Sequence, residues 1–247
     1  MKALITGGTS GIGLSIAKIL DSKGYDLILV GNNRTIDETL FNNKVKFIKL
    51  DLSKRDNCYK LYDITKDEDI DVFVNNAGFG LFGSFDETDL DTELNMIDVN
   101  ICAAHILMKL FLKDMIKKDK GYILNTTSAA AFAYGPLLST YYSTKSYLYK
   151  LSLSVYEELK KKKSNVHISV LCPGPVDTNF NDRANVTFTV KSLSSDYVGK
   201  YAVKKMFKNK LLIIPGFSVR LSRVFLNLLP LKLVLKLCYT FQKKKSK

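Results

Sequence analysis

At 247 residues, 46% hydrophobic and 25% charged, the chain suits one α/β domain with a substantial core and excludes a small fold that needs staples. Residues 197–247 hold 13 of the 37 Lys+Arg and none of the 24 Asp+Glu, so the tail carries the whole net charge of +13, and a basic nucleic-acid face spread over the domain is not expected. Four scattered cysteines (Cys58, Cys102, Cys172, Cys238) and two isolated histidines (His105, His167) argue against a disulfide framework or a zinc site, and read as a reduced, cytosolic protein.

In chain order, the apolar runs at 2–6, 26–30, 45–50, 71–75, 121–127, 167–172 and 211–215 read as strands. Their mostly continuous apolar character fits strands buried on both faces of a parallel sheet. Amphipathic stretches at 11–23, 53–65, about 95–118, 141–163 and 195–208 separate them. This alternation predicts right-handed βαβ crossovers and a single doubly wound, Rossmann-type α/β domain with a seven-stranded parallel sheet over 1–215. The opening "MKALITGG" reads as a strand entering a glycine turn rather than a signal peptide. With no run of eighteen apolar residues, a membrane-spanning helix is not expected.

The first strand ends in "TGGTSGIG", with Gly7, Gly11 and Gly13 opening the first helix. A tight turn there lets the backbone approach a pyrophosphate, and the helix N-terminus offers free N–H groups and a positive dipole end. The spacing is G-x-x-x-G-x-G rather than G-x-G-x-x-G, yet its place after the first strand favours dinucleotide binding over a plain tight connection. Farther on, "STYYSTKSY" (139–147) sets Tyr141 and Tyr142 ahead of Lys145. A tyrosine can move a proton if a nearby ammonium lowers its pKa toward neutrality. Residues three or four apart share a helix face, so geometry alone permits either tyrosine to pair with Lys145.

These motifs together resemble the short-chain dehydrogenase/reductase family. Thr6, Gly7, Gly11 and Gly13 match T-G-x-x-x-G-x-G, and Asn75, Asn76, Ala77 and Gly78 match N-N-A-G. "DVN" supplies Asn100, "TTSAA" supplies Ser128, "YYSTK" supplies Tyr141 and Lys145, and "PGPVDT" follows the sixth strand, all in family order over about residues 1–215. The resemblance resolves the tyrosines in favour of Tyr141, with Tyr142 a packing or pocket-lining residue. It implies a catalytic set of Asn100, Ser128, Tyr141 and Lys145: Tyr141 exchanges the proton, Lys145 holds the nicotinamide ribose and lowers the phenol pKa, Ser128 polarises the carbonyl oxygen, and Asn100 fixes a helix kink and a proton-relaying water. It implies cofactor contacts from Gly7, Ser10, Gly11, Ile12, Gly13, Arg34, Asp51, Asn75, Ala77, Gly78, Tyr141, Lys145, Pro173, Gly174, Val176 and Thr178, with Asn75, Ala77 and Gly78 touching adenosine or bracing the sheet. "VGNNRT" (30–35) carries no carboxylate at the second strand's tip, and Arg34 could reach a 2′-phosphate, so NADP(H) is favoured over NAD(H). Residues 35–44 are too few for a full helix.

The implied reaction is hydride transfer between the cofactor and a small-molecule ketone or secondary alcohol. The absence of a basic cluster weakly favours an apolar, fatty-acyl-like or steroid-like substrate. The loop 179–197, with Phe180 and Phe188, and the stretch "GFGLFGSF" (78–85) fall where substrate contacts are expected. The rival readings are a non-enzymatic dinucleotide sensor or membrane-recruited scaffold, and a nucleotide-sugar epimerase that would lack its larger C-terminal domain. Family members pair through the helices at about 95–118 and 141–163, which implies a homodimer or homotetramer. The basic, hydrophobic helical tail, 216–247, is expected to break at Pro230. It suits either an anionic membrane surface, contacted through 217–247, or packing on the protein, so the expected location is the cytoplasm with the inner membrane surface as an alternative. The tail also resembles that of a bacterial subgroup named after the D-alanine-esterification operon oxidoreductase.

Overall fold

The strands bury alternate residues on opposite faces, and this creates two cores from one sheet. In the computed structural model, which describes residues 1–32, 36–178, 192–217, 219–221 and 229–244, the strands are β1 (Lys2–Thr6), β2 (Asp26–Gly31), β3 (Val45–Lys49), β4 (Ile70–Asn75), β5 (Gly121–Thr126), β6 (Val166–Leu171) and β9 (Leu212–Ile213). They form one seven-stranded sheet in the order β3-β2-β1-β4-β5-β6-β9, and every pairing is parallel. Ala3, Ile5, Leu27, Leu29, Val72 and Val74 pack to one side against α1 (Gly11–Asp21) and α6 (Ser195–Met206). Leu4, Ile28, Val30, Phe73, Ile123 and Ile168 pack to the other against α2 (Arg55–Asp63), α4 (Ala104–Lys118) and α5 (Ser139–Lys161). Burial on both faces explains why the strand sequences lack polar alternation. The seven-stranded doubly wound fold expected from the sequence is present.

Connections run out from β1 in one direction through β2 and β3, and in the other through β4, β5 and β6. The reversal between β1 and β4 opens a crevice at the strands' C-terminal edge, where such sheets bind ligands. Residues 36–44 contain only a short 3₁₀ turn, Glu38–Leu40, in keeping with the expected lack of a full helix. The last strand is shorter than its apolar run, because only Leu212 and Ile213 pair with β6. A small parallel pair, β7 (Val176–Asp177) with β8 (Leu193–Ser194), lies apart from the main sheet.

One expected helix is three segments: α3 (Leu90–Ile97), a π-helical turn (Asp98–Ala103) and α4. Within the run Leu90–Lys118 an eighteen-residue stretch of mean hydropathy 1.3 is long and apolar enough to cross a membrane by length and composition, although no uninterrupted run of eighteen apolar residues exists. Leu107, Phe111 and Met115 explain that hydropathy, since they sit in the core beneath the sheet. The tail forms α7 (Leu231–Lys243) directly after Pro230, while residues 222–228 on the other side of the expected break lie outside the described residues. Its inward stripe is narrow: Val234, Cys238 and Gln242 are buried at four-residue spacing, while Leu233, Leu237 and Phe241 are exposed.

Candidate active site

The glycine loop joins β1 to α1 at the crevice. Gly7 and Gly11 have φ of +63° and +53°, a left-handed conformation that a side chain would strain. A Cβ on Gly13 would lie 2.2 Å from the Gly7 carbonyl oxygen, so helix and loop approach as closely as backbone allows. Ser10 caps α1 in extended geometry without a side-chain hydrogen bond to the helix, and the first turn, with Ile12, holds no acidic residue. The first N–H groups of α1 thus face the crevice without a competing carboxylate, which suits a diphosphate. Across the loop, a Cβ on Gly11 would stand 3.0 Å from Thr178 Cγ2, so the segment after β6 closes over the same cradle.

Two residues outside the expected set hold the cradle. Thr6 Oγ1 accepts the N–H groups of Asn76 (2.9 Å) and Ala77 (3.0 Å), and Asn76 Nδ2 donates to the carbonyls of Thr6 and Gly7, each at 3.2 Å. The polar pair T6/N76 was visible in the two motifs, but the strand pairing that lets them meet was not. Asn75 Nδ2 donates to the Ala104 carbonyl (2.9 Å) and to Asn125 Oδ1 (3.1 Å), bonds that brace the sheet. Asn125 in turn donates to Ser152 Oγ at 2.9 Å, so a buried polar chain ties β4 and β5 to α5. Asp51, after β3, accepts from Ser53 N–H (3.0 Å) and Ser53 hydroxyl (2.8 Å), and so shapes the turn into α2 at the crevice edge. Arg34, Phe180 and Phe188 lie outside the described residues.

The remaining expected residues converge farther along the crevice. Asn100 is buried in the π-helical turn; its Oδ1 accepts from Phe79 N–H (3.1 Å), and its Nδ2 donates to the Phe79 carbonyl (2.9 Å) and Thr144 Oγ1 (3.0 Å). Thr144 then donates to the Tyr141 carbonyl at 2.7 Å, so the π-helical turn is tied to α5 by a link that spacing alone did not reveal. A Cβ on Gly78 would fall 2.8 Å from Asn100 Oδ1 and 3.0 Å from Lys145 Nζ, so these two side chains meet over a bare backbone. Lys145 Nζ donates to the Thr126 carbonyl at 3.3 Å and lies 5.8 Å from the centre of the Tyr141 ring. Ser128, which also caps the 3₁₀ turn Ala129–Phe132, is hydrogen-bonded to the Tyr141 phenol. On the far side, Pro173 accepts the Ala129 N–H through its carbonyl at 2.8 Å, Val176 is buried in β7, and Gly174 abuts Val219. An open groove of about 370 Å³ lies between Phe79, Leu81, Asp91, Thr92 and Asn95, where the 78–85 stretch meets α3.

The electrostatics correct one expectation. Burial pushes the Tyr141 phenol well above its usual range; the Ser128 hydrogen bond opposes this and Tyr142 adds to it. Burial also lowers Lys145 to about 8, partly offset by Cys172. Burial thus dominates the phenol, which was expected to move toward neutrality beside an ammonium. Tyr142 stands edge-on to Tyr141, 6.1 Å between ring centres, but has other partners: its ring packs so tightly on Gly135 that a Cβ there would be 2.2 Å from it, and its hydroxyl accepts from Gln242 Nε2.

A family model described as short chain dehydrogenase matches residues 1–187. The chain is 32% identical over 198 residues to hydroxysteroid dehydrogenase-like protein 1 of Gallus gallus; the match takes in 75% of this chain and 58% of that protein's length. Among solved structures, a short-chain dehydrogenase from Sphingobium yanoikuyae in complex with NADPH shares the fold, with TM-score 0.82 at 23% identity over 90% of this chain and 91% of that one. An alcohol dehydrogenase from the archaeon Thermococcus sibiricus, complexed with 5-hydroxy-NADP, is 28% identical with TM-score 0.72, covering 86% of this chain and 94% of that one.

Proposed function

Because the chain belongs to the short-chain dehydrogenase family, we propose that it is an oxidoreductase acting on a ketone or secondary alcohol with NADP(H), NAD(H) being the alternative cofactor. The observation that carries this reading is the convergence of Ser128, Tyr141, Lys145 and Asn100 beside the glycine cradle at one edge of the sheet. Solved structures of this fold hold NADPH, 5-hydroxy-NADP and NAD, in keeping with either dinucleotide.

Gly7, Gly11, Gly13, Ser10 and Ile12 would hold the diphosphate at the start of α1, with Ala77, Gly78 and Thr178 closing the cradle. Bound there, the dinucleotide supplies or accepts the hydride. Ser128 orients and polarises the carbonyl oxygen. Tyr141 gives that oxygen its proton; its raised pKa keeps the phenol protonated at neutral pH, the form that reduction needs. Lys145, with a pKa near 8, is mostly charged at pH 7 and stabilises the phenolate left behind. Asn100 fixes the π turn and the Gly78–Phe79 backbone, and in this reading also orders a water that returns a proton toward Lys145. The test is oxidation of NADPH at 340 nm across a ketone panel, run against Tyr141→Phe; turnover surviving in that variant would refute the reading.

The same reading includes a homodimer or homotetramer through α4 and α5, and a cytoplasmic protein whose tail touches an anionic membrane surface. The exposed stripe Leu233, Leu237 and Phe241 on α7, beside Lys232, Lys236 and Lys243, supports the membrane contact. Affiliation with the subgroup named after the D-alanine-esterification operon oxidoreductase is kept as part of this reading, on the basic hydrophobic tail.

A further inference from the structure

The helix α7 ends on α5, at the residue next to the proposed proton donor Tyr141. Gln242 is 4% exposed, and its Nε2 donates to the hydroxyl of Tyr142, the neighbour of Tyr141. Tyr142 in turn lies flat on Gly135, whose missing side chain makes room for the ring. Gly135 belongs to the loop 133–138, the only chain between the Ser128 turn and the start of α5. That loop is strained: Leu137 has φ of +66°, a conformation that a branched side chain adopts only under constraint. The loop is also held by the Gly83 N–H, which donates to the Leu137 carbonyl at 2.9 Å, and by Leu138, which is buried with Phe79 and Tyr141.

The amide at 242 is itself an expensive choice. Its Oε1 is buried with no hydrogen-bond partner among the described residues. An apolar residue would continue the Val234 and Cys238 stripe without that desolvation cost. The bond to Tyr142 is the gain that sets Gln242 apart from the rest of the stripe.

We propose that α7 is a working part of the substrate site: Gln242, by holding Tyr142 against Gly135, fixes the loop 133–138 and so limits the size of ketone that can approach Tyr141. Gln242 is a positioning residue; it acts on the substrate side and leaves the glycine cradle untouched. The proposal rests on the oxidoreductase reading for its substrate and on the helix contacts alone for its mechanism.

The experiment compares wild type with Gln242→Leu, Gln242→Ala, Tyr142→Phe and the Gln242→Leu/Tyr142→Phe double variant, all in the full chain. Cyclohexanone, acetophenone and benzophenone serve as graded probes with NADPH. Gln242→Ala is expected to raise kcat/KM for benzophenone relative to cyclohexanone roughly tenfold, the scale of one buried hydrogen bond. The change should fall mainly on KM, with NADPH affinity shifted less than about twofold. Gln242→Leu should add nothing to Tyr142→Phe, because both delete the same bond. Hydrogen–deuterium exchange of peptides across 133–142, which needs no turnover, should quicken by about tenfold in Gln242→Leu. Unchanged exchange, or an unchanged size ratio in Gln242→Ala, overturns the proposal. Turnover persisting in Tyr141→Phe would instead overturn the oxidoreductase reading, so the two failures are distinct.

Discussion

Asn100 grips Phe79 by both of its backbone groups, accepting from the N–H at 3.1 Å and donating to the carbonyl at 2.9 Å. This clamp holds the chain just past Gly78 against the π-helical turn, and it brings the Asn100 carboxamide beside Lys145. Asn100→Ala deletes three buried hydrogen bonds, two to the Phe79 backbone and one to Thr144, so a loss of about 2–3 kcal/mol is expected in urea denaturation. Asn100→Asp keeps the acceptor but loses the Nδ2 donor to Phe79 and Thr144, and the same measurement should show a loss for it as well.

Tyr141 and Tyr142 differ in partner rather than in chemistry. The phenol of Tyr141 meets Ser128, whereas Tyr142 meets Gln242. Removing a general acid typically costs on the order of 10²–10⁴-fold in rate, and Tyr141→Phe is expected to fall in that range. Tyr142→Phe should lose less than about tenfold in kcat, since it deletes one hydrogen bond away from the reacting oxygen. Steady-state kinetics on both variants decides the assignment.

Gly13 faces the Gly7 carbonyl where an added Cβ would be 2.2 Å away, and Asn76 Nδ2 where it would be 2.6 Å away. Gly13→Ala must push α1 off the loop, at a cost of about 1–3 kcal/mol in stability. The displaced loop should also weaken NADPH binding, measured by titration of cofactor fluorescence. Unaltered affinity would show that the cradle does not carry the diphosphate.

The lowered pKa of Lys145 gives a signed pH prediction. Below its folded value of about 8, the buried ammonium is a cost on the folded state; above the unfolded value of 10.5, the amine is neutral in both states and the cost is gone. Wild type should therefore gain stability relative to Lys145→Met as pH rises from 8 to 10.5, by about 3 kcal/mol at most. Thermal melts of the pair across that window test the sign. A constant difference would mean that Lys145 is solvated in the folded protein.

The outward stripe of α7 predicts binding to vesicles containing phosphatidylglycerol. Leu237→Ser with Phe241→Ser should reduce flotation by more than about tenfold, because each side chain is worth roughly 1.5–3 kcal/mol when buried. High salt should weaken wild-type binding by screening the lysines. Equal recovery of wild type and variant would remove the membrane contact.

Much of this was legible in the linear sequence, and for definite reasons. A strand buried on both faces has to be apolar throughout, so the alternation of "KALIT", "DLILV" and "DVFVN" with amphipathic stretches already determined a doubly wound parallel sheet. Glycines are required wherever backbone meets backbone, so Gly7, Gly11 and Gly13 marked the cradle before any fold was known. Four-residue spacing put Tyr141 and Lys145 on one helix face. Tertiary structure decided what depends on neighbours remote in sequence. Asn75 turned inward because Ala104 and Asn125 stand beside it. The phenol and amine moved away from their expected pKa values because packing removed the water around both. The tail reached Tyr142, one hundred positions earlier, through a hydrogen bond that periodicity could not encode, since local pattern fixes which face a residue occupies but not what comes to meet it.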